Sequence, residues 1–381
     1  MLKFKEKNKS ILILLIFNNL LSLLLILKSI YKKKSVAFYL AIFFSIIAYY
    51  YTAFNEYSDV YRYINYPEAV LRNSKDIYVK YILGYLIKNK YSINFLIMIS
   101  AFLMYYYFFK SFEIAINKME YSGKKYLYYY FLFYCILPSF GYTGIRFYPA
   151  TAIFTYSIVL KIFYRDKRYY FFAFLATLVH IFYFLPFILL VLENIIKKIL
   201  KYEIVEKFIS ILVVLSFFGV GEWLIKIIFI YINNLNINIS DAYFYGKWGT
   251  EYYKYLNIGG KLVYIANRLF YTWWLYFYFK LKLNKNLKIE QQILLYLSVI
   301  CLLTASFRTI HERIFMAIYY PTILILLTTR KIKPKLIKNI LILMSFCYTV
   351  LQFILLVKSY SPEIIYLLKN IWRFSIISIM I

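Results

Sequence analysis

The chain has 381 residues, is 63% hydrophobic and only 17% charged, and carries a formal net charge of +29. Soluble globular domains are nearer half apolar and a quarter charged, so composition excludes a sizeable soluble domain. The lysines fall in short loops between apolar runs. That is the pattern of the positive-inside rule rather than of nucleic-acid binding, and no nucleic acid is expected as a partner.

Lys3, Lys5, Lys7 and Lys9 precede the first apolar run. No small-residue cleavage site follows, so residues 11–27 are read as a retained first span. Further apolar runs lie at 35–53, 93–109, 126–140, 147–163, 169–192, 208–231, 262–281, 289–306, 314–327, 337–356 and 364–381. Most approach the ~20 residues that cross a bilayer. Tyrosines at many ends fit an interfacial belt. The expected fold is an all-α polytopic membrane protein of about 11–13 transmembrane helices. It forms one integral membrane domain over residues 1–381, with larger outer loops at 54–90 and 232–260. Cys135, Cys301 and Cys347 each sit inside an apolar run, without metal-ligand spacing.

The basic loops 110–125, 161–168, 197–207, 280–288 and 330–338 should face the cytoplasm. Loops 54–90, 139–146, 232–260 and 307–313 then face outside. Two places break the alternation. Residues 169–192 have basic loops at both ends. A broken or re-entrant hairpin turning near His180 restores the order, and such a break is tolerated where it lines a cavity or is buried in protein. At the other place, Lys32-Lys33-Lys34 makes the first loop cytoplasmic. The N-terminal lysines are then outside, unless the first span is itself re-entrant.

Arginine is scarce here, with 10 residues against 36 lysines, and charge at the edge of a membrane span usually has a function. In the first outer loop Asp59 and Arg62 are three apart and would share a helix face. They are either a surface ion pair worth under ~1 kcal/mol or part of a substrate site. Arg146 follows the glycine-containing turn Gly141-Tyr142-Thr143-Gly144-Ile145. Glycines there let the backbone turn tightly or approach a ligand; the arginine either snorkels or faces that ligand. His180 is either a buried group bonded to backbone or a group at the cavity where the chain breaks. The segment Arg308-Thr309-Ile310-His311-Glu312-Arg313 separates the runs 289–306 and 314–327. Helical spacing puts Arg308, His311 and Glu312 on one face and turns Arg313 away. A neutral histidine can take a proton from a hydroxyl, and the arginine fork suits phosphate oxygens. The other reading is an outer-leaflet anchor. No Walker loop, His-x-x-x-His pair or cysteine cluster occurs. No cofactor and no dedicated metal site are expected, although Glu56 and Asp59 could hold a hard cation with a substrate phosphate. Arginines and histidines with little acid suit an anionic ligand at the outer face, such as a lipid-linked pyrophosphate.

Over nearly its whole length the chain resembles the EpsG family of exopolysaccharide polymerases and the related Wzy-type O-antigen and capsule polymerases. Three segments carry the resemblance. Ser58 to Tyr66 looks like an Asp-x-x-x-Tyr stretch, Asp59 with Tyr63. Gly144 to Ala150, the basic loop 161–168 and Leu178-Val179-His180 are similar to an arginine, span, basic loop, histidine order. Arg308 to Arg313 resembles a late arginine-rich turn before a span. The resemblance implies a polymerase of undecaprenyl-pyrophosphate-linked oligosaccharide units at the outer face of a bacterial inner membrane. Its implied partners are the lipid-linked glycan donor and acceptor, membrane lipid and a chain-length regulator. Negative charge grows on the departing pyrophosphate, and fixed arginines stabilise it most in the transition state. In that reading Arg146 and Arg308 bind the pyrophosphate, with Arg313 in support and Arg62 also on substrate. His180 or His311 is the base, and Asp59 is an alternative base or orients the acceptor. Aromatic residues of the second outer loop (Tyr243, Tyr245, Trp248, Tyr252, Tyr253) could stack on sugars. Two rivals stay open. One is a lipid-phosphate-sugar-dependent glycosyltransferase using Glu56 and Asp59 with a metal. The other is a lipid-linked oligosaccharide flippase.

Overall fold

A computed structural model describes residues 9–51, 59–74, 76–117, 123–138, 144–200, 202–217, 256–281, 290–329 and 332–359, with a few isolated positions besides. Glu56, the side chain of Asp59, the turn at 139–143, the aromatic residues of the second outer loop and most of the last expected span lie outside the described residues. Among the described residues every regular element is helical. Four helices are long and apolar enough to cross a membrane: Asn94–Ile116, Phe147–Tyr164, Arg308–Thr328 and Lys335–Leu355. Four more, Asn19–Tyr31, Ala37–Tyr49, Tyr169–Val179 and Gln292–Leu303, are apolar but shorter. The protein is an all-α polytopic membrane protein. It has two compact units, Met1–Phe184 with Ser345–Ile381, and Leu185–Met344.

The first unit contains α1 (Lys9–Phe17), α2 (Asn19–Tyr31), α3 (Ala37–Tyr49), α4 (Asp59–Asn65), α5 (Pro67–Asn73), α6 (Ile77–Lys88), α7 (Asn94–Ile116), α8 (Gly123–Ile136), α9 (Phe147–Val159) and α10 (Tyr169–Val179). Helix α7 packs between α3 and α9, and α9 packs on α10. Helices apolar around their whole circumference belong in an interior, and ten of the thirteen residues in each of α3 and α9 are buried. Small residues of α9, Ala150, Thr151, Ala152 and Thr155, let neighbouring backbones approach. The buried carboxylate of Glu113 on α7 caps α3 from outside. It accepts from the backbone N–H groups of Val36 (2.7 Å) and Ala37 (2.9 Å) and from Ser35 Oγ (2.6 Å). Orphan donors at a helix start are thereby satisfied by a neighbouring helix.

One expectation changes here. The single first span is two helices broken at Asn18, whose backbone is extended and whose side chain accepts from Leu21 N–H. Asparagine competes with the helix for local hydrogen bonds; Asn19, buried beside it, donates to the Phe43 carbonyl at 3.2 Å. Helices α1 and α2 fold against each other at this point. The described part of the first outer loop forms α4, α5 and α6. The run 169–192 breaks at His180, where its two basic flanks predicted a break. Helix α10 ends at Val179, His180 is extended, and a short 3-10 turn, Ile181–Tyr183, precedes the next helix.

The second unit contains α11 (Phe184–Ile199, starting on the last residue of the first unit), α12 (Tyr202–Phe217), α13 (Ile258–Phe279), α14 (Gln292–Leu303), α15 (Arg308–Thr328) and the start of α16 (Lys335–Ser359). Helix α14 packs on α15 and α12, and α12 also packs on α13. Helix α15 is buried without interruption from Ile314 to Thr328. Aromatic rings join α13 to α15: Tyr271 stacks on Phe315 at 4.2 Å, and Trp274 meets Tyr319 edge-on at 5.3 Å.

Candidate functional site

In the first unit the chain makes a helical hairpin. Helix α9 runs from Arg146 into a π turn, Leu160–Tyr164, and α10 returns from Tyr169. Arg165 at the bend has the left-handed φ of 51°. Asp166 accepts from the Arg168 side chain (2.8 Å) and from its backbone N–H (2.9 Å), bonds that hold its carboxyl below the usual range. The hairpin brings His180 back beside the start of α9, where its ring lies edge-on to Phe147 at 5.9 Å. Arg146 and His180 therefore share the end of the hairpin opposite the basic turn.

Asp76, at the start of α6, ties them together. It is 3% exposed. Its Oδ2 accepts from Arg146 Nη1 at 2.5 Å, and its Oδ1 accepts from the backbone N–H of Ile181 at 2.9 Å. The Arg146 guanidinium also lies 5.9 Å from the centre of the Tyr63 ring on α4, in cation–π range. Tyr183 Oη donates to Thr151 Oγ1 at 2.6 Å and pins the 3-10 turn to α9. His180 Nδ1 accepts from the N–H of Phe182 at 3.2 Å. In the neutral ring the proton must then sit on Nε2, so His180 presents a donor.

In the second unit Arg308 opens α15. Arg308, His311 and Glu312 line one cavity of ≈ 190 Å³, with Tyr264, Asn267 and Arg268 of α13 among its other walls. Arg313 is not among its lining residues. His311 is buried, and its Nδ1 is 2.7 Å from the carbonyl oxygen of Cys301. A carbonyl only accepts, so Nδ1 carries the proton. Nε2 of His311 is buried with no hydrogen-bond partner among the described residues, as is Nε of Arg268. The other end of Arg268 is anchored, Nη2 donating to the Ser216 carbonyl at 2.6 Å in the last turn of α12. Buried polar atoms are nearly always paired. These walls thus offer a fixed cation and a lone pair to a ligand that brings one acceptor and one donor.

The sequence-derived residues fall as follows. Arg146, His180 and Tyr63 meet around Asp76 in the first unit, with Arg62 exposed on the same helix as Tyr63 and Asp59 at that helix's first position. Arg308 and His311 meet in the second unit. Sequence reasoning missed Asp76 and Arg268. Asp76 lies in a polar stretch with nothing to mark it. Arg268 had a signal, being one of the scarce arginines and lying inside the apolar run 262–281.

A family model described as the EpsG family matches residues 54–368. No curated protein and no solved structure matches the chain. The matched stretch takes in α4 to α16, and with them both the Asp76 cluster and the Arg308 cavity. The chain belongs to the EpsG family, a family of Wzy-type polysaccharide polymerases.

Proposed function

We propose that the protein joins undecaprenyl-pyrophosphate-linked oligosaccharide units at the outer face of a bacterial inner membrane, with the Arg308 cavity holding the reacting groups. A hydroxyl oxygen of the acceptor unit attacks the anomeric carbon of the donor. The carbon–oxygen bond to pyrophosphate breaks, and the hydroxyl proton passes to His311 Nε2. Arg268 and Arg308 face the growing negative charge on the pyrophosphate, as fixed donors do in other charge-developing reactions. The observation that carries this reading is the orphaned pair in one cavity, His311 Nε2 as acceptor and Arg268 Nε as donor. A sugar hydroxyl and a phosphate oxygen are the two groups that would satisfy them.

His180 has the opposite tautomer, which suits it to donate a hydrogen bond rather than to remove a proton. The Arg146 charge is engaged by Asp76, so this cluster is assigned to holding the donor or acceptor chain near α4. Cells carrying Arg308→Lys or Arg268→Lys should accumulate single lipid-linked units and lose polymer by about 10²-fold or more. Normal polymer in both variants would remove the leaving-group role. Single units trapped on the cytoplasmic side would instead point to a flippase.

A further inference from the structure

An apolar cleft of the first unit shares no lining residue with the Asp76 cluster. It has a volume of ≈ 940 Å³ and runs between α2, α3, α8 and the described part of α16 in this unit. Leu27 and Ile30 of α2, Phe44 of α3 and Phe353 of α16 are among its walls. One side of α8 lines it from Lys124 to Cys135. That stretch of helix rises about 16 Å, close to half of the ~30 Å hydrocarbon thickness of a bilayer. The cleft is as deep as one leaflet.

Its polar mouth is built. Lys124, exposed, is the charged residue of the lining. Gly123 sits so close to α2 that a Cβ added there would lie 2.5 Å from the Tyr31 carbonyl oxygen. Lys124 therefore follows directly on a contact whose other side leads into Lys32-Lys33-Lys34. Lys33 holds a left-handed φ of 54°, and the chain beyond it is anchored by Glu113 through Ser35, Val36 and Ala37. A lysine at the start of α8 and the lysines of the α2–α3 turn thus flank one end of a deep apolar slot. Both basic loops belong on the cytoplasmic side by the positive-inside rule.

We propose that this cleft binds an anionic phospholipid of the cytoplasmic leaflet, its acyl chains between α2, α3, α8 and α16 and its phosphate on Lys124 and the Lys32-Lys33-Lys34 loop. Charge complementarity selects the occupant, because basic pockets between membrane helices on that side favour acidic headgroups. The site is independent of the polymerase reading.

Native mass spectrometry of the full-length chain in mild detergent tests it, with phosphatidylglycerol and phosphatidylcholine as probes. Phosphatidylglycerol should be retained in preference. The triple variant Lys33→Gln, Lys34→Gln, Lys124→Gln should lose about fivefold in affinity per engaged lysine and keep its thermal stability. Leu127→Trp, which fills the cleft, should weaken retention with every charge in place. Soluble glycerol phosphate should not compete. Equal retention of the two lipids, unchanged affinity in the triple variant, or competition by glycerol phosphate would each overturn the proposal.

Discussion

The two histidines differ in which ring nitrogen carries the proton. His311 has Nδ1–H on a carbonyl and an orphaned Nε2, whereas His180 accepts at Nδ1. His311→Gln should therefore lower polymer formation by about 10²–10⁴-fold with little change in melting temperature. His180→Gln should lose less activity, measured as polymer per cell at matched expression. The reverse order would reassign the base to His180. Asp76 is the other decisive residue. Removing one partner of a mostly buried ion pair costs about 3 kcal/mol or more, because the second charge stays behind. Asp76→Asn and Arg146→Gln should each destabilise the protein, and the double variant should lose clearly less than their sum. Additive losses in that cycle would mean the two side chains act separately.

Caps and turns decide where the helices begin and break. Helix α3 has no side-chain cap of its own, so its first donors depend on Glu113 of α7. A hydrogen bond to a charged group contributes about 1.5–3 kcal/mol, and Glu113→Ala should lower stability by at least that much in a thermal melt. Glu113→Gln should recover part of it. Tyr183→Phe removes one neutral bond, to Thr151, and should cost about 1 kcal/mol. The break at His180 was legible as a conflict between one apolar run and two basic flanks. The break at Asn18 was not, since a lone polar pair inside an apolar run is compatible with a continuous helix.

Across the molecule, the positive-inside rule expects the lysine-rich short loops to set the orientation of the chain. Single cysteines placed at Lys33 and at Arg62 in a background lacking the native thiols check this directly. The Arg62 position should react with a membrane-impermeant maleimide in intact cells, and the Lys33 position only after permeabilisation. Labelling of both in intact cells would put the basic loop outside. Arg146 and His180 lie at one end of the first unit although a basic turn separates them in sequence. One hairpin, α9 and α10, carries the chain away from that end and back.

Fold class, the span-like runs and the shared face of Arg308, His311 and Glu312 were determined by sequence alone. Hydropathy, charge bias and helical periodicity are local and repeat within a few residues, so they survive without knowledge of packing. Tertiary structure decided the partners. Asp76 meets Arg146 across 70 residues and Ile181 across 105, and Arg268 joins the His311 cavity from another helix. Each histidine's tautomer depends on which backbone group its Nδ1 meets. Such pairings follow from how buried polar groups find one another once helices pack, which no short-range pattern encodes.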